Sequence, residues 1–122
     1  MKKKILIIED EETLKFLLSR EFKGEGFDIE EAINGEEGLK KAKESKPDLI
    51  LLDLLLPGID GFEVLSRLKK DSNLESTPVI IISNFSQEEE IKRGLKLGAI
   101  DYLVKANLTL SDIVERVKKT LG

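Results

Sequence analysis

The chain contains no cysteine, no histidine and no tryptophan. Without cysteine there is no disulfide framework, no thiolate nucleophile and no thiolate-held zinc; without histidine there is no catalytic triad and no imidazole metal site. Any metal must therefore be bound by oxygen. A basic excess is also missing: 20 Lys and Arg stand against 24 Asp and Glu, a net charge of −4, so nothing points to a nucleic-acid-binding surface. Long hydrophobic runs are absent too. The apolar stretch behind Met1-Lys2-Lys3-Lys4 covers only Ile5 to Ile8 before the acidic Glu9-Asp10-Glu11-Glu12. That is too short for a leader's apolar core or a membrane span, and the expectation is a cytoplasmic chain with no membrane partner.

What is present is one domain's worth of sequence, 122 residues, arranged around Leu49 to Gly61, LILLDLLLPGIDG. Its unbroken apolar start, bounded by Pro47 and by Pro57-Gly58, reads as a strand buried on both faces. Asp53 falls where that strand should end. An ionised carboxylate there is costly unless it is paired, protonated or metal-bound, although an Asp can also simply cap a loop.

The rest of the chain alternates strand and helix. Lys4 to Ile8 reads as a buried strand, and Leu14, Leu17, Leu18 and Phe22 recur at helical spacing up to Gly24, the expected C-cap. Phe27 to Ile33 reads as a second strand near an edge, and Gly35 to Ser45, with Leu39 and Ala42 inward, as a weak helix. Phe62, Leu65 and Leu68 mark a helix to about Lys70. Pro78 introduces a fourth strand, Val79 to Ser83. Ser86 and Glu89 form a capping-box pattern before Ile91 and Leu95, with Gly98 closing that helix. Asp101 to Val104 is a short fifth strand. Thr109 and Asp112 start a last helix whose apolar face is Leu110, Ile113, Val114, Val117 and Leu121. Five such units without a linker predict an α/β domain, a single doubly wound parallel sheet.

In that architecture, ligands collect at the carboxyl ends of the strands, beside the switch point of a 2-1-3-4-5 order. The strand ends carry Glu9-Asp10, Asp53, Ser83 and Lys105. Singly, each has a bland reading: a solvated first helical turn, a strand-end hydroxyl, a surface cation. Together they put three carboxylates, a hydroxyl and an ammonium at one edge. Such carboxylates repel one another and call for a divalent cation, Mg²⁺ or Mn²⁺ with these oxygen ligands. Asp53 could then be ligand and nucleophile at once, attacking a phosphoryl group neutralised by the metal and by Lys105, with Ser83 donating to the phosphoryl oxygens.

The segments Ile5 to Glu11, Leu51 to Gly61, Ile82-Ser83 and Gly98 to Lys105 resemble, in order and over essentially the whole chain, the receiver domain of two-component response regulators. The resemblance implies a flavodoxin-like (βα)5 fold over residues 1–122 with no output domain, and a phosphoacceptor at Asp53. It implies Mg²⁺ held by Glu9, Asp10, Asp53 and the backbone carbonyl of Leu55. Ser83 and Lys105 would contact the phosphoryl group, and Tyr102 would turn inward as Ser83 is drawn toward it. The phosphodonor would be a sensor histidine kinase or phosphotransfer protein. A downstream protein would read the face formed by the helix Gln87 to Leu97, strand 5 and the helix Leu110 to Leu121. The chain itself would be a monomer or a weak phosphorylation-dependent dimer, and not an enzyme beyond promoting its own phosphoryl transfer and slow dephosphorylation.

Some positions depart from that family's pattern. Glu9 stands where Asp is usual, and Ala106 where a proline usually follows the lysine; a cis Lys105-Ala106 bond, expected by analogy, would cost about 3 kcal/mol. Asn84 and Phe85 would line, with Leu55, the path of attacking water, and the two apolar groups among them, Phe85 and Leu55, would slow hydrolysis. Other functions fit less well. A flavin site would be repelled by Glu9 to Glu12, and an aspartyl-phosphate hydrolase would need a second acid where Leu55 stands. The competing reading is a phosphorylation-independent interaction module on the same fold.

Overall fold

The computed structural model describes residues 2–122; Met1, the first residue of the lysine-rich start, lies outside them. In chain order the elements are β1 (Lys4–Ile8), α1 (Glu12–Gly24), β2 (Asp28–Ala32), α2 (Gly35–Ser45), β3 (Leu49–Asp53), α3 (Gly61–Lys70), β4 (Val79–Ser83), α4 (Glu88–Lys96), β5 (Asp101–Val104) and α5 (Leu110–Leu121), with a 3₁₀ turn at Lys105–Asn107. All strand pairings are parallel, in the order β2-β1-β3-β4-β5. This is the doubly wound order anticipated from the alternation of strands and helices. No helix among the described residues is long and apolar enough to cross a membrane.

Strand alternation divides the core into two layers. Ile5, Ile7, Leu49, Leu51, Ile80 and Ile82 face α1 and α5, meeting Leu18, Phe22, Ile113, Val114 and Val117. Leu6, Ile8, Ile50, Leu52, Val79 and Ile81 face the opposite side, meeting Ala42, Phe62, Val64, Leu65 and Leu68. The three central strands are therefore apolar at almost every position, because both of their faces are covered. Full burial of each such side chain contributes about 1.5–3 kcal/mol, so the sheet is a firm platform for whatever its strand ends carry. β2, the edge strand, has the more polar sequence DIEEA with only Ala32 fully buried.

The element ends differ from expectation in three places. α1 runs through Gly24, and the left-handed residue that follows it is Gly26 (φ 93°). β2 is trimmed at both ends, to Asp28–Ala32. The capping pair of α4 is one residue later than Ser86 and Glu89: Gln87 is the N-cap, and its N–H donates to the Glu90 carboxylate at 3.3 Å. Consecutive polar residues here allow either register, and the strand 4 exit decides it. Between α3 and β4, residues 71–77 form hydrogen-bonded turns that bury Leu74, held by Lys69 Nζ donating to Glu75 O (3.0 Å) and Thr77 O (2.8 Å).

Candidate functional site

Register alone assembles the edge. Ile8 lies opposite Leu52, so the next residues, Glu9 and Asp53, leave the sheet side by side. Asp53 in turn lies opposite Ile82, which sets Ser83 one residue beyond it. Val104 pairs with Ser83, so Lys105 leaves β5 two strands away from Asp53 and reaches it with its long side chain. Gly61 N–H donates to Leu54 O at 3.0 Å, bringing the start of α3 back beneath the exit of β3.

Carboxylate oxygens of Glu9, Asp10 and Asp53 all lie within 4.8 Å of one another. Glu9 is fully buried, Asp53 is 3% exposed and Asp10 faces solvent. Backbone donors hold two of them: Glu11 N–H to Glu9 Oε2 at 3.0 Å and Leu55 N–H to Asp53 Oδ1 at 3.2 Å. Lys105 Nζ donates to Asp53 Oδ2 at 3.1 Å and stands 2.8 Å from Glu9 Oε1. The second approach is close in charge but poorly aligned for a hydrogen bond, and Glu9 Oε1 remains a buried acceptor without a donor.

The electrostatics follow from this packing. Burial raises the Glu9 carboxyl from 4.5 to about 7, with the Asp53 charge adding to the rise and Lys105 and the Glu11 N–H opposing it. Burial works against the Lys105 ammonium too, but its close ionic contact with the Glu9 carboxylate, together with the charge of Asp53 and the bond to it, outweighs that and holds its pKa above the usual lysine value. A divalent cation fits this donor set. It would give a ligand's role to the Glu9 oxygen that accepts no hydrogen bond among the described residues, and relieve the repulsion among three clustered acids.

Ser83 is fully buried, and its Oγ accepts from Phe85 N–H at 3.0 Å. Tyr102, half-buried, donates its hydroxyl to Phe85 O at 2.7 Å. Phe85 is thus gripped through both backbone groups by the two residues expected to act as a switch. Burial raises the Tyr102 phenol's pKa, the Ser83 hydroxyl pulls it down, and the charges of Glu90 and Asp53 add to the rise. Leu55 is 55% exposed on the rim and Asn84 is also exposed. The expected cis Lys105-Ala106 bond is not found; the bond is trans and opens the Lys105–Asn107 turn. Without a proline the cis form carries a penalty of about 3 kcal/mol instead of under about 1, and the trans turn still delivers Lys105 to the acids.

Two relationships escape sequence reasoning. Spacing gives no sign that Lys105 pairs with Glu9 as well as Asp53, because that contact depends on the extra methylene of Glu9 and on a lysine arm crossing β4. Nor does anything in Ser83-Asn84-Phe85 announce that Phe85 is held through its backbone.

The Response regulator receiver domain family matches residues 5–118. The phosphate regulon transcriptional regulatory protein PhoB of Rhizobium meliloti (strain 1021) is 39% identical over 118 residues, 97% of this chain and 52% of that protein. The alkaline phosphatase synthesis transcriptional regulatory protein PhoP of Bacillus subtilis (strain 168) is 40% identical over 121 residues, 99% of this chain and 49% of that protein. The chain thus spans about half the length of these relatives. Among solved structures, a CheY-like response regulator receiver domain protein from Methanospirillum hungatei JF-1 superposes with a TM-score of 0.91 at 27% identity, covering 99% of this chain and 94% of that one. With its fold, its strand order and its sequence all in agreement, the chain belongs to the receiver domain family of two-component response regulators.

Proposed function

We propose that Asp53 is the phosphoacceptor of a Mg²⁺-dependent phosphorelay, and that its phosphorylation changes the surface a protein partner reads. Phosphorylation, Mg²⁺ binding and a cytoplasmic location are typical of this family, whose members are generally not classical enzymes. The observation that carries the reading is the setting of Asp53: a carboxylate 3% exposed, clustered with Glu9 and Asp10 and bonded by Lys105. Glu9, Asp10, Asp53 and the Leu55 carbonyl would hold Mg²⁺, which when bound supplies positive charge opposite the phosphoryl oxygens.

The chain's own groups do the rest. An Asp53 oxygen attacks phosphorus of a phosphohistidine on a kinase or phosphotransfer protein; the O–P bond forms as the N–P bond breaks, and the imidazole nitrogen leaves with the bonding pair. Lys105 keeps a cation beside the receiving oxygen throughout, and the Ser83 hydroxyl donates to a phosphoryl oxygen. That reorients Ser83 Oγ, which now accepts from Phe85 N–H, and disturbs the loop to which Tyr102 is bonded. The α4, β5 and α5 face, where Leu95 and Ile100 are exposed, is offered to a downstream protein, the chain acting as a monomer or a weak phosphorylation-dependent dimer.

Beryllofluoride stands in for a phosphoryl group on a carboxylate and provides the test. With Mg²⁺ present, amide NMR shifts should spread from Asp53 through Ser83 and Phe85 to Tyr102, and Asp53→Asn should abolish them. Silence in the wild-type protein would overturn the phosphoacceptor reading in favour of a phosphorylation-independent binding module.

A further inference from the structure

We propose that the groove between the β3–α3 loop and α4 is a docking site for a basic amphipathic helix of a protein partner. The groove has a volume of about 460 Å³, within the roughly 300–1,000 Å³ range of pockets that enclose a ligand. Leu54, Leu55, Phe62 and Phe85 supply its apolar surface, and Asp60, Glu89 and Glu90 supply carboxylates. Arg93 is the lone cation of the lining, and its guanidinium lies 4.1 Å from the centre of the Phe62 ring, where it is engaged by the ring face. Three acids against one engaged cation leave a negative rim around an apolar floor.

That combination selects its occupant by charge. A helix with leucine-sized side chains at i, i+3 and i+4 flanked by Lys or Arg meets the floor with its apolar stripe and the rim with its cations. Nucleic acid would set phosphates against the same carboxylates. A two-fold pair of this chain would bring the acids of one rim onto those of the other. The position of the groove also ties it to the phosphoacceptor reading, on which this part of the inference rests: Leu54 and Leu55 directly follow Asp53, and the Phe85 backbone is bonded to both Ser83 and Tyr102. A shift of Ser83 toward a phosphoryl group therefore moves a wall of the groove.

Two synthetic peptides of equal length and identical leucine spacing test this, one with Lys and one with Glu at every other position, titrated into the ¹⁵N-labelled chain with and without beryllofluoride and Mg²⁺. The Lys peptide should shift the amides of Leu54, Leu55, Phe62, Phe85 and Arg93, with an affinity that differs between the two states; the Glu peptide should shift none. Glu89→Lys should weaken the Lys peptide at least about ten-fold, since Glu89 caps nothing and its reversal turns attraction into repulsion. Phe85→Ala should weaken it comparably, with the remaining spectrum unchanged as a check on folding.

Lys-peptide shifts centred on another face, or an affinity indifferent to Glu89→Lys, would overturn the proposal. So would sedimentation showing a second copy of the chain seated in the groove. The beryllofluoride response of Ser83 and Tyr102 without peptide separates the two readings. If it is present and the groove stays silent, docking alone fails; if it is absent, the phosphoacceptor reading fails and docking is judged on the unmodified chain with the same peptides.

Discussion

Lys105 Nζ lies 2.8 Å from Glu9 Oε1 at the carboxyl edge of the sheet, yet the buried carboxyl still titrates near 7 rather than 4.5. Between those values the folded chain keeps a proton that the unfolded chain has released. The unfolded state then binds fewer protons, so this group makes stability fall as pH rises through that window. In EDTA, stability and with it the thermal midpoint should drop between about pH 4.5 and 7, with a slope from Glu9 of at most about 1.4 kcal/mol per pH unit. Glu9→Gln should flatten it. Saturating Mg²⁺ should reverse the trend, because a carboxylate ligand must be deprotonated. An unchanged slope in Glu9→Gln would show that another group is responsible.

Gly61 follows the N-cap Asp60, whose carboxylate accepts from Glu63 N–H at 2.9 Å. A Cβ at position 61 would overlap the backbone of Asp53 and Leu54, neither of which can yield without displacing the phosphoacceptor candidate. Gly61→Ala should cost about 3 kcal/mol, at the upper end of what overpacking usually costs, in a urea titration. It should also lower the rate of phosphorylation by a small phosphodonor. An alanine variant of wild-type stability would mean that α3 can retreat freely from β3.

Gly94 on α4 stands over Tyr102: a Cβ there would come within 2.6 Å of Ile81 Cδ1 and 3.2 Å of the Tyr102 ring. Alanine is favoured in helices by about 1 kcal/mol over glycine, but the Ile81 terminal methyl must shift within a fully buried layer to admit the new Cβ, so Gly94→Ala should still lower stability by roughly 1 kcal/mol. The chain has one tyrosine and no tryptophan, so its intrinsic fluorescence reports Tyr102 alone. Beryllofluoride with Mg²⁺ should change that emission in the wild-type chain and change it much less in Gly94→Ala. Equal responses would free Tyr102 from any dependence on α4.

Much of the site is written in the strand ends. The apolar runs Ile5–Ile8, Leu49–Leu52 and Val79–Ile82 locate three buried strands, and parallel register then puts Glu9, Asp53 and Ser83 at one edge. The ends of helices are less legible, because capping is a contest among neighbouring polar residues; Ser86-Gln87 could begin α4 at either position, and the fold chooses Gln87. Least legible are contacts made by long side chains and by loop backbone. The reach of Lys105 to Glu9, the trans Lys105-Ala106 bond and the grip on Phe85 all depend on three-dimensional loop paths that no local pattern encodes.

Phe85 follows from the same loop path. Its backbone is fixed by Ser83 and Tyr102, while its side chain and that of Leu55 line one groove beside Asp53. Hydrolysis of an acyl phosphate at Asp53 needs a water positioned in line, and apolar side chains at the mouth offer such a water no hydrogen-bond partner. Phe85→Glu replaces one of them with an acceptor that can hold and orient water, while the Ser83 and Tyr102 bonds to the backbone of residue 85 are retained. The phosphorylated lifetime should therefore shorten several-fold, by an amount corresponding to about 1 kcal/mol of barrier. Following phosphate release from the purified phosphorylated chain measures this directly. Equal lifetimes in Phe85→Glu and wild type would mean that water reaches Asp53 by another path, past Asp10 rather than past Phe85.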